Sequence, residues 1–331
     1  TSVLLIILLT NQVARVLDLA AEFQYPRGVV LELIGLSAVQ NASPATLTGI
    51  GHIQNDDQAI TAGNNGPICA RQTLSLTAST VTGASYAWSG PNGFASAQQN
   101  PSIAGATVAA SGSYSVVATV AGVSSPAAST TAAVHDCQIR IADPAPVTEG
   151  SGGTTPVAFT VSLSHGSTQA LTVAWQTVDG SATAPADYAA GSGTLTIPAN
   201  ATSASITRQV AGDALDEDAE TFHVDLSAAS AGTLVDNRGS ATINDDDAPP
   251  ALSIDGGGCT VLEGHSGSTP CVNTVRLSAP SGKAISFSVQ TADSTAQAGT
   301  DYQALGASVR TIAAGATSLA LPVQVNGDTL V

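Results

Sequence analysis

The sequence contains no methionine, and aromatic and charged side chains are scarce. Of 331 residues, only 4% are aromatic and 10% are charged. Glycine, alanine, serine, threonine and valine dominate instead, a composition that is typical of strands and turns. We therefore expect no large helical bundle.

Basic residues are the rarest charged class. The chain has one lysine, Lys283, and eight arginines against 25 acidic residues, which gives a formal net charge of −16. Nucleic acids and anionic membrane surfaces are bound through clustered cations, so this composition excludes both as partners. The acidic residues lie in short clusters, a pattern that favours cation binding.

Long apolar runs are also missing. A membrane-spanning helix needs about 20 apolar residues, whereas the best candidate, residues 3–9, is far shorter. We expect no membrane span. This run is either a buried strand or the remnant of a signal peptide, although it lacks a preceding cationic segment and an initiator methionine.

The four cysteines are few but regularly placed. Cys259 and Cys271 flank one apparent turn, and Cys69 and Cys137 lie at the two ends of a separate segment. Neither pair has the close spacing of a zinc or redox site. Two alternatives stay open: two disulfides formed in an oxidising compartment, or four free buried thiols.

The chain contains internal repeats. Sliding it against itself by 114 or 115 residues aligns three acidic pairs: Glu149 with Glu263, Asp187 with Asp301, and Asp213 with Asp328. A shift of 190 residues aligns 36–57 with 226–247. We predict four units: the remnant of a repeat with an unassigned N-terminal stretch (1–57), an inserted sandwich (64–137), a complete repeat (138–247) and a truncated repeat (251–331).

Within the complete repeat, apolar and polar residues alternate in seven short segments. This alternation predicts half-buried strands, and seven strands with intervening turns predict an immunoglobulin-like antiparallel β-sandwich. The predicted fold class is all-β, with tandem sandwiches. If successive strands run up and down, four acidic segments meet at one pole. Carboxylates gathered there repel one another unless they share a cation, and hard oxygen ligands favour Ca²⁺.

Four motifs carry a family resemblance: VTEG (147–150), ADY (186–188), GDALDEDAETF (212–222) and INDDD (243–247). Together they resemble the Calx-beta domain. The resemblance implies calcium ligation by Glu149, Asp187, Asp213, Glu217, Asp245, Asp246 and Asp247. The third copy retains Glu263, Asp301 and Asp328 without the remaining acids, so we expect its site to be incomplete. The Calx-beta domains of sodium/calcium exchangers have a paired acid at the position where this chain has Gly212 followed by Asp213. The resemblance therefore implies that this chain binds fewer ions or binds them with weaker affinity.

The insert resembles the immunoglobulin-like or PKD-like modules of bacterial adhesins. Its strand-like segments surround Trp88, and Leu76 and Val116 stand where an immunoglobulin has its bridging cysteines. We expect Trp88 to pack in the core and not to bind a sugar.

The sequence contains no catalytic motif, because it lacks a nucleophile elbow, a zinc-protease helix and a phosphate loop. We predict that it is not an enzyme.

The leading hypothesis is a calcium-binding repeat region of a secreted or cell-surface, adhesin-like protein, in which Ca²⁺ stiffens the interdomain junctions and surface proteins or glycans are the candidate ligands. The alternatives are a non-catalytic accessory region of a large secreted hydrolase and an acidic sandwich that binds no ion. We interpret the chain as a fragment of a longer repetitive protein.

Overall fold

The computed structural model describes residues 29–32, 50–53, 59–256 and 258–329, with side-chain environments from residue 59 onward. The described residues form strands and two 3₁₀ turns, Pro91–Gly93 and Val108–Ala110, without any α-helix. Among them, no helix is long and apolar enough to cross a membrane. The prediction of tandem antiparallel β-sandwiches is confirmed.

The first two strands belong to the predicted N-terminal remnant. Strand β1 (Val29–Glu32) pairs antiparallel with β2 (Ile50–Ile53). The rest of the predicted unit 1–57, including residues 3–9, lies outside the described residues.

The next ten strands build the first described sandwich, which we call the insert module: β3 (Ala62–Asn64), β4 (Ile68–Cys69), β5 (Leu74–Ala78), β6 (Ser85–Ser89), β7 (Ala95–Ser96), β8 (Ser102–Ile103), β9 (Gly112–Val120), β10 (Val123–Ser124), β11 (Ala128–Ala132) and β12 (Val134–His135). One sheet has the order β10-β9-β6-β7 with β11 also on β9, and the other has the order β3-β5-β8. Strand β12 pairs parallel with β4.

Trp88 packs in the core of the insert module, as predicted from the sequence. Trp88 is 2% exposed, and Leu76 and Val116 are fully buried. The Tyr114 hydroxyl donates a hydrogen bond to the carbonyl oxygen of Ala110, four residues upstream, at 2.8 Å. This bond satisfies a buried polar group in the manner of the tyrosine corner of immunoglobulin-like sandwiches.

The middle module follows, with nine strands: β13 (Gln138–Ile141), β14 (Val147–Thr148), β15 (Gly153–Leu163), β16 (Leu171–Asp179), β17 (Ser192–Ile197), β18 (Ser203–Gly212), β19 (Glu220–Ser227), β20 (Thr233–Asp236) and β21 (Arg238–Asn244). Its two sheets have the orders β18-β15-β13-β20 and β14-β21-β19-β16-β17. The module has two more strands than the seven predicted, and one of the differences lies before Glu149, where a single segment contributes β13 to one sheet and β14 to the other. Pro144 and Pro146 lie between them, and proline cannot donate to a sheet ladder.

Aromatic side chains fill the space between these two sheets. Phe159 and Phe222 meet edge to face with ring centroids 5.8 Å apart, and Tyr188 stacks on Phe222 at 4.1 Å. All three are almost fully buried. Trp175 is half-buried at the side of this core, with the Arg208 guanidinium 5.3 Å above its ring.

The third module has five described strands: β22 (Leu252–Ile254), β23 (Ser268–Leu277), β24 (Ile285–Val289), β25 (Ser308–Ile312) and β26 (Ser318–Asn326). The strand pairing places Leu252 and Ile254 where the middle module has Ile139 and Ile141. The middle-module pair is 0% and 2% exposed, whereas Leu252 and Ile254 are 45% and 56% exposed. The difference arises because, among its described residues, the third module has no counterparts of β19, β20 and β21.

Both cysteine pairs are disulfide-bonded. Cys69 joins Cys137 and Cys259 joins Cys271, each with Cα atoms 5.4 Å apart. Of the two alternatives left open by the sequence, the structure therefore has the bridged one.

Candidate metal centre

Four acidic segments of the middle module meet at one pole of the sandwich, which we call the acidic pole. They follow β14, β16, β18 and β21. Strands β14, β16 and β21 run in the same direction, because β14 is parallel to β21 and both β16 and β21 are antiparallel to β19. The end of β18 lies at the same pole, because Gly212 packs against the carbonyl oxygen of Glu149. The consequence is electrostatic: the pKa of Glu149 is raised to about 7 by burial first and then by the charges of Asp213, Glu217, Asp245 and Asp247.

The first carboxylate group consists of Glu149, Asp245 and Asp247, which we call the inner group. Each residue offers one oxygen, and these oxygens lie within 4.8 Å of one another. Glu149 is only 5% exposed. Three carboxyl groups in this position are unfavourable when all are ionised and unpaired.

One oxygen of the inner group is buried without a partner. Asp247 Oδ2 has no hydrogen bond, whereas the backbone N–H of Asp247 donates to Asp245 Oδ1 at 3.1 Å. A buried, unpaired carboxylate oxygen costs free energy unless a donor or a cation satisfies it. The donor set therefore fits a hard cation.

The second carboxylate group, Asp187, Glu217 and Glu220, lies at the same pole, and we call it the outer group. Its three oxygens are also within 4.8 Å of one another. Burial, the charge of Asp187 and a hydrogen bond to it raise the pKa of Glu220 to about 7. Burial, followed by the charges of Asp213, Asp187 and Asp245, raises the pKa of Glu217.

All six donors in the two groups are carboxylate oxygens, and among the described residues these are the only sets of three or more candidate ligands. The cysteines are bonded to each other and offer no thiolate. Carboxylates on flexible loops suit Ca²⁺, which accepts six to eight oxygen ligands at about 2.3–2.6 Å. A bound ion would neutralise charge and order the four loops.

Two predicted ligands lie at the acidic pole but outside both groups. Asp213 is exposed, and its Oδ1 accepts a hydrogen bond from the backbone N–H of Leu215 at 2.8 Å. Asp246 is also exposed, and its Oδ1 accepts from Gly150 N–H at 3.1 Å. Their assignment as ligands stays a prediction.

The third module does not reproduce either group among its described residues. Glu263 is exposed, and Asp328 is partly buried. Asp301 Oδ2 accepts from the backbone N–H of Gln297 at 2.7 Å, as Asp187 Oδ2 accepts from Thr183 at 2.6 Å. The loop geometry of the repeat is therefore retained, while ligation by these three acids stays a prediction.

The resemblance led us to expect an acid at position 212, and the presence of glycine there has a steric explanation. A Cβ atom at this position would lie 2.6 Å from the carbonyl oxygen of Glu149 and even closer to that of Gly150. In the third module, Gly327 makes the same approach, 2.7 Å from the carbonyl oxygen of Glu263. The close crossing of these two loops excludes any side chain there.

Sequence reasoning missed two acidic residues. Glu220 belongs to the outer group. The only feature of the sequence that indicated this was its position at the start of β19, next to the acidic loop. Asp216 is 4% exposed and faces the third module. There, the ammonium of Lys283 lies 2.6 Å from Asp216 Oδ1, and the Ser281 hydroxyl donates to the carbonyl oxygen of Asp216 at 3.0 Å.

The third module thus docks on the loop that carries Glu217. The backbone N–H of Gly282 donates to the carbonyl oxygen of Asp216 at 3.2 Å. A Cβ atom on Gly282 would collide with the Glu217 side chain. The docking contacts and the outer carboxylate group are therefore adjacent on the same short loop.

The protein is therefore of the class of antiparallel β-sandwiches whose loops bring together carboxylates suited to a hard cation. The Calx-beta domain family model matches residues 142–247 and 245–331, more than half of the chain. The protein belongs to the Calx-beta family, in two adjacent copies.

Solved structures give the following similarities. The apo-form Calx CBD1 domain is 24% identical, covers 34% of this chain and 100% of its own, and has a TM-score of 0.30. CBD12 from CALX1.2 is 21% identical, covers 57% and 76%, and has a TM-score of 0.31. Three N-terminal domains of the bacteriophage RB49 highly immunogenic outer capsid protein are 12% identical, cover 82% and 86%, and have a TM-score of 0.34. No curated protein sequence matches the chain.

Proposed function

We propose that this chain is a calcium-binding repeat region of a secreted or cell-surface, adhesin-like protein and has no catalytic role of its own. Ca²⁺ binds at the acidic pole of the middle module and stiffens the junction with the third module. The observation that carries the proposal is the buried, unpartnered Asp247 Oδ2 within the inner group.

The stiffening rests on the position of the docking loop. Residues 213–219 border both carboxylate groups, and Asp216 in the same loop holds Ser281 and Lys283 of the third module. An ion that orders this loop also orders the surface to which the third module binds. The linker between the modules is short and contains Pro249 and Pro250, which limits the remaining freedom.

The disulfides support a secreted or surface location. Both are of the kind that persists in oxidising compartments. Extracellular calcium modules work at higher free calcium than cytosolic sensors do, so a modest affinity is sufficient for the proposed role. Surface proteins or glycans are the proposed ligands of such a region.

Calcium binding is tested by thermal unfolding of the full chain with Ca²⁺ and with chelator. At 100 times its dissociation constant, an ion that binds only the folded state adds about 2.7 kcal/mol, so the middle module should melt at a clearly higher temperature. Asp245→Asn combined with Asp247→Asn should abolish this shift.

The control is Asp236→Asn, which removes an exposed acid of the same module outside both groups. It should respond to calcium as the unaltered chain does. An unaltered chain that melts at the same temperature in both solutions would favour the ion-free acidic sandwich.

A further inference from the structure

The junction between the insert module and the middle module contains no linker. Strand β12 ends at His135 and β13 begins at Gln138. Cys137, between them, is fully buried within the hydrophobic core of the middle module, together with its disulfide partner Cys69 from the insert module. The bridge that closes the two ends of the insert is thus part of its neighbour's core.

Backbone and side-chain hydrogen bonds surround this disulfide on one side. The backbone N–H of Gly232 donates to the carbonyl oxygen of Ala70 at 3.0 Å, and that of Thr233 donates to Cys137 at 2.9 Å. The Arg71 guanidinium donates to the carbonyl oxygen of Gly232. Two loops from different modules are therefore held together at backbone level.

On the other side, Gln72 connects three segments. Its Oε1 accepts from the backbone N–H of Cys69 at 2.8 Å and from the Ser167 hydroxyl at 2.7 Å. Its Nε2 donates to the carbonyl oxygen of Ala170 at 3.2 Å. One side chain of the insert module thus satisfies polar groups of both modules.

Further contacts extend the junction around its edge. The backbone N–H of Thr168 donates to the carbonyl oxygen of Pro67 at 2.9 Å, and Gln169 Nε2 donates to Thr73 at 3.0 Å. The imidazole rings of His135 and His165 stack with centroids 4.4 Å apart and planes 7° from parallel.

From these contacts we infer that the insert and middle modules form one rigid body that unfolds cooperatively, with the Cys69–Cys137 disulfide as a shared core element. The third module is held differently, through the exposed linker 248–250 and the contacts of Asp216. From residue 59 onward, the chain therefore has one fixed junction, which needs no ion, and one junction at which movement takes place.

The test is urea unfolding of the full chain in chelator, followed by hydrogen–deuterium exchange and mass spectrometry. Peptides from β5–β11 and from β15–β21 should lose protection at the same urea concentration. Peptides from β23–β26 should lose it at a different one. Distinct midpoints for the insert and middle modules in the unaltered chain would overturn the inference.

A matched pair of variants separates the junction from general stability. Gln72→Ala should separate the midpoints of the two modules, because it removes bonds between them. Gln99→Ala should shift both midpoints equally, because Gln99 Nε2 bonds only within the insert module, to Ala78 and Thr80. A Gln99→Ala variant in which only the midpoint of the insert module falls would also overturn it. Since calcium is absent throughout, the result does not depend on the proposed ion site.

Discussion

Glu149 and Glu220 have carboxyl groups that hold protons near neutral pH. The pKa of each is raised from 4.5 to about 7, for Glu149 by burial and then by the surrounding acids, for Glu220 by burial and then by Asp187. A Ca²⁺ ion at the proposed site would therefore compete with protons for the same oxygens, since metal ligands must be deprotonated.

These pKa values predict how stability depends on pH without calcium. Between pH 4.5 and 7 the folded protein keeps protons that the unfolded chain has released, so the free energy of unfolding falls as the pH rises through this window. Urea unfolding in chelator at pH 5 and pH 7.5 checks the sign. Glu149→Gln should flatten the dependence, and stability that rises across the window would contradict the prediction.

A second prediction concerns Gly212, whose Cβ position is occupied by backbone carbonyls of 149–150. Gly212→Ala should lower the free energy of unfolding by about 1–3 kcal/mol, the usual cost of overpacking, and should weaken calcium binding because it displaces Glu149. Urea unfolding and calcium titration measure the two effects. Gly306→Ala is the control, since nothing lies within 4 Å of that Cβ position; equal effects of both variants would contradict the prediction.

At the scale of strands, alternation and repeat spacing predicted most of the middle module. The segments around Phe159, Trp175 and Phe222 form β15, β16 and β19, as period-two patterning indicated. The short β20 and the division between β13 and β14 were not predictable, because both depend on pairing with distant strands.

The acidic pole was predictable as a place but not as a set of ligands. The order and direction of the predicted strands indicate that the acidic loops lie at one end of the sandwich. This prediction does not depend on which residues in the loops are the ligands. The division into inner and outer groups depends on side-chain packing, and the role of Asp216 depends on Lys283, which is 67 residues away in sequence in another module. No local pattern contains that information.

The core of β19 provides a prediction at this scale. Phe222 is fully buried between Phe159 and Tyr188. Phe222→Ala should lower the free energy of unfolding by about 3–5 kcal/mol, through lost burial and a residual cavity, as measured by urea unfolding. Val309→Ala, at a side chain that is 66% exposed, should change it by less than about 0.5 kcal/mol. A loss of less than about 1 kcal/mol for Phe222→Ala would be inconsistent with this packing.

At the scale of the whole molecule, the junction between the middle module and the third module depends on few contacts. The pKa of Lys283 is raised, chiefly by its hydrogen bond to Asp216. Lys283→Gln should therefore increase proteolytic cleavage at residues 248–250, because the third module is released more often, and saturating Ca²⁺ should reduce cleavage in the unaltered chain. Arg310→Gln, an exposed change on β25, is the control. Equal cleavage of Lys283→Gln and the unaltered chain would contradict a docking role for this ion pair.

The fold also makes this junction accessible to chemistry. Lys283 carries the one side-chain amine of the chain, and that amine is held against a buried carboxylate at the boundary between two modules. An acylating reagent can therefore modify a side-chain amine only where the modules meet, and the adduct has a unique mass. Because the Lys283 side chain is 34% exposed, the rate of that reaction, followed over time, measures how often the amine leaves Asp216.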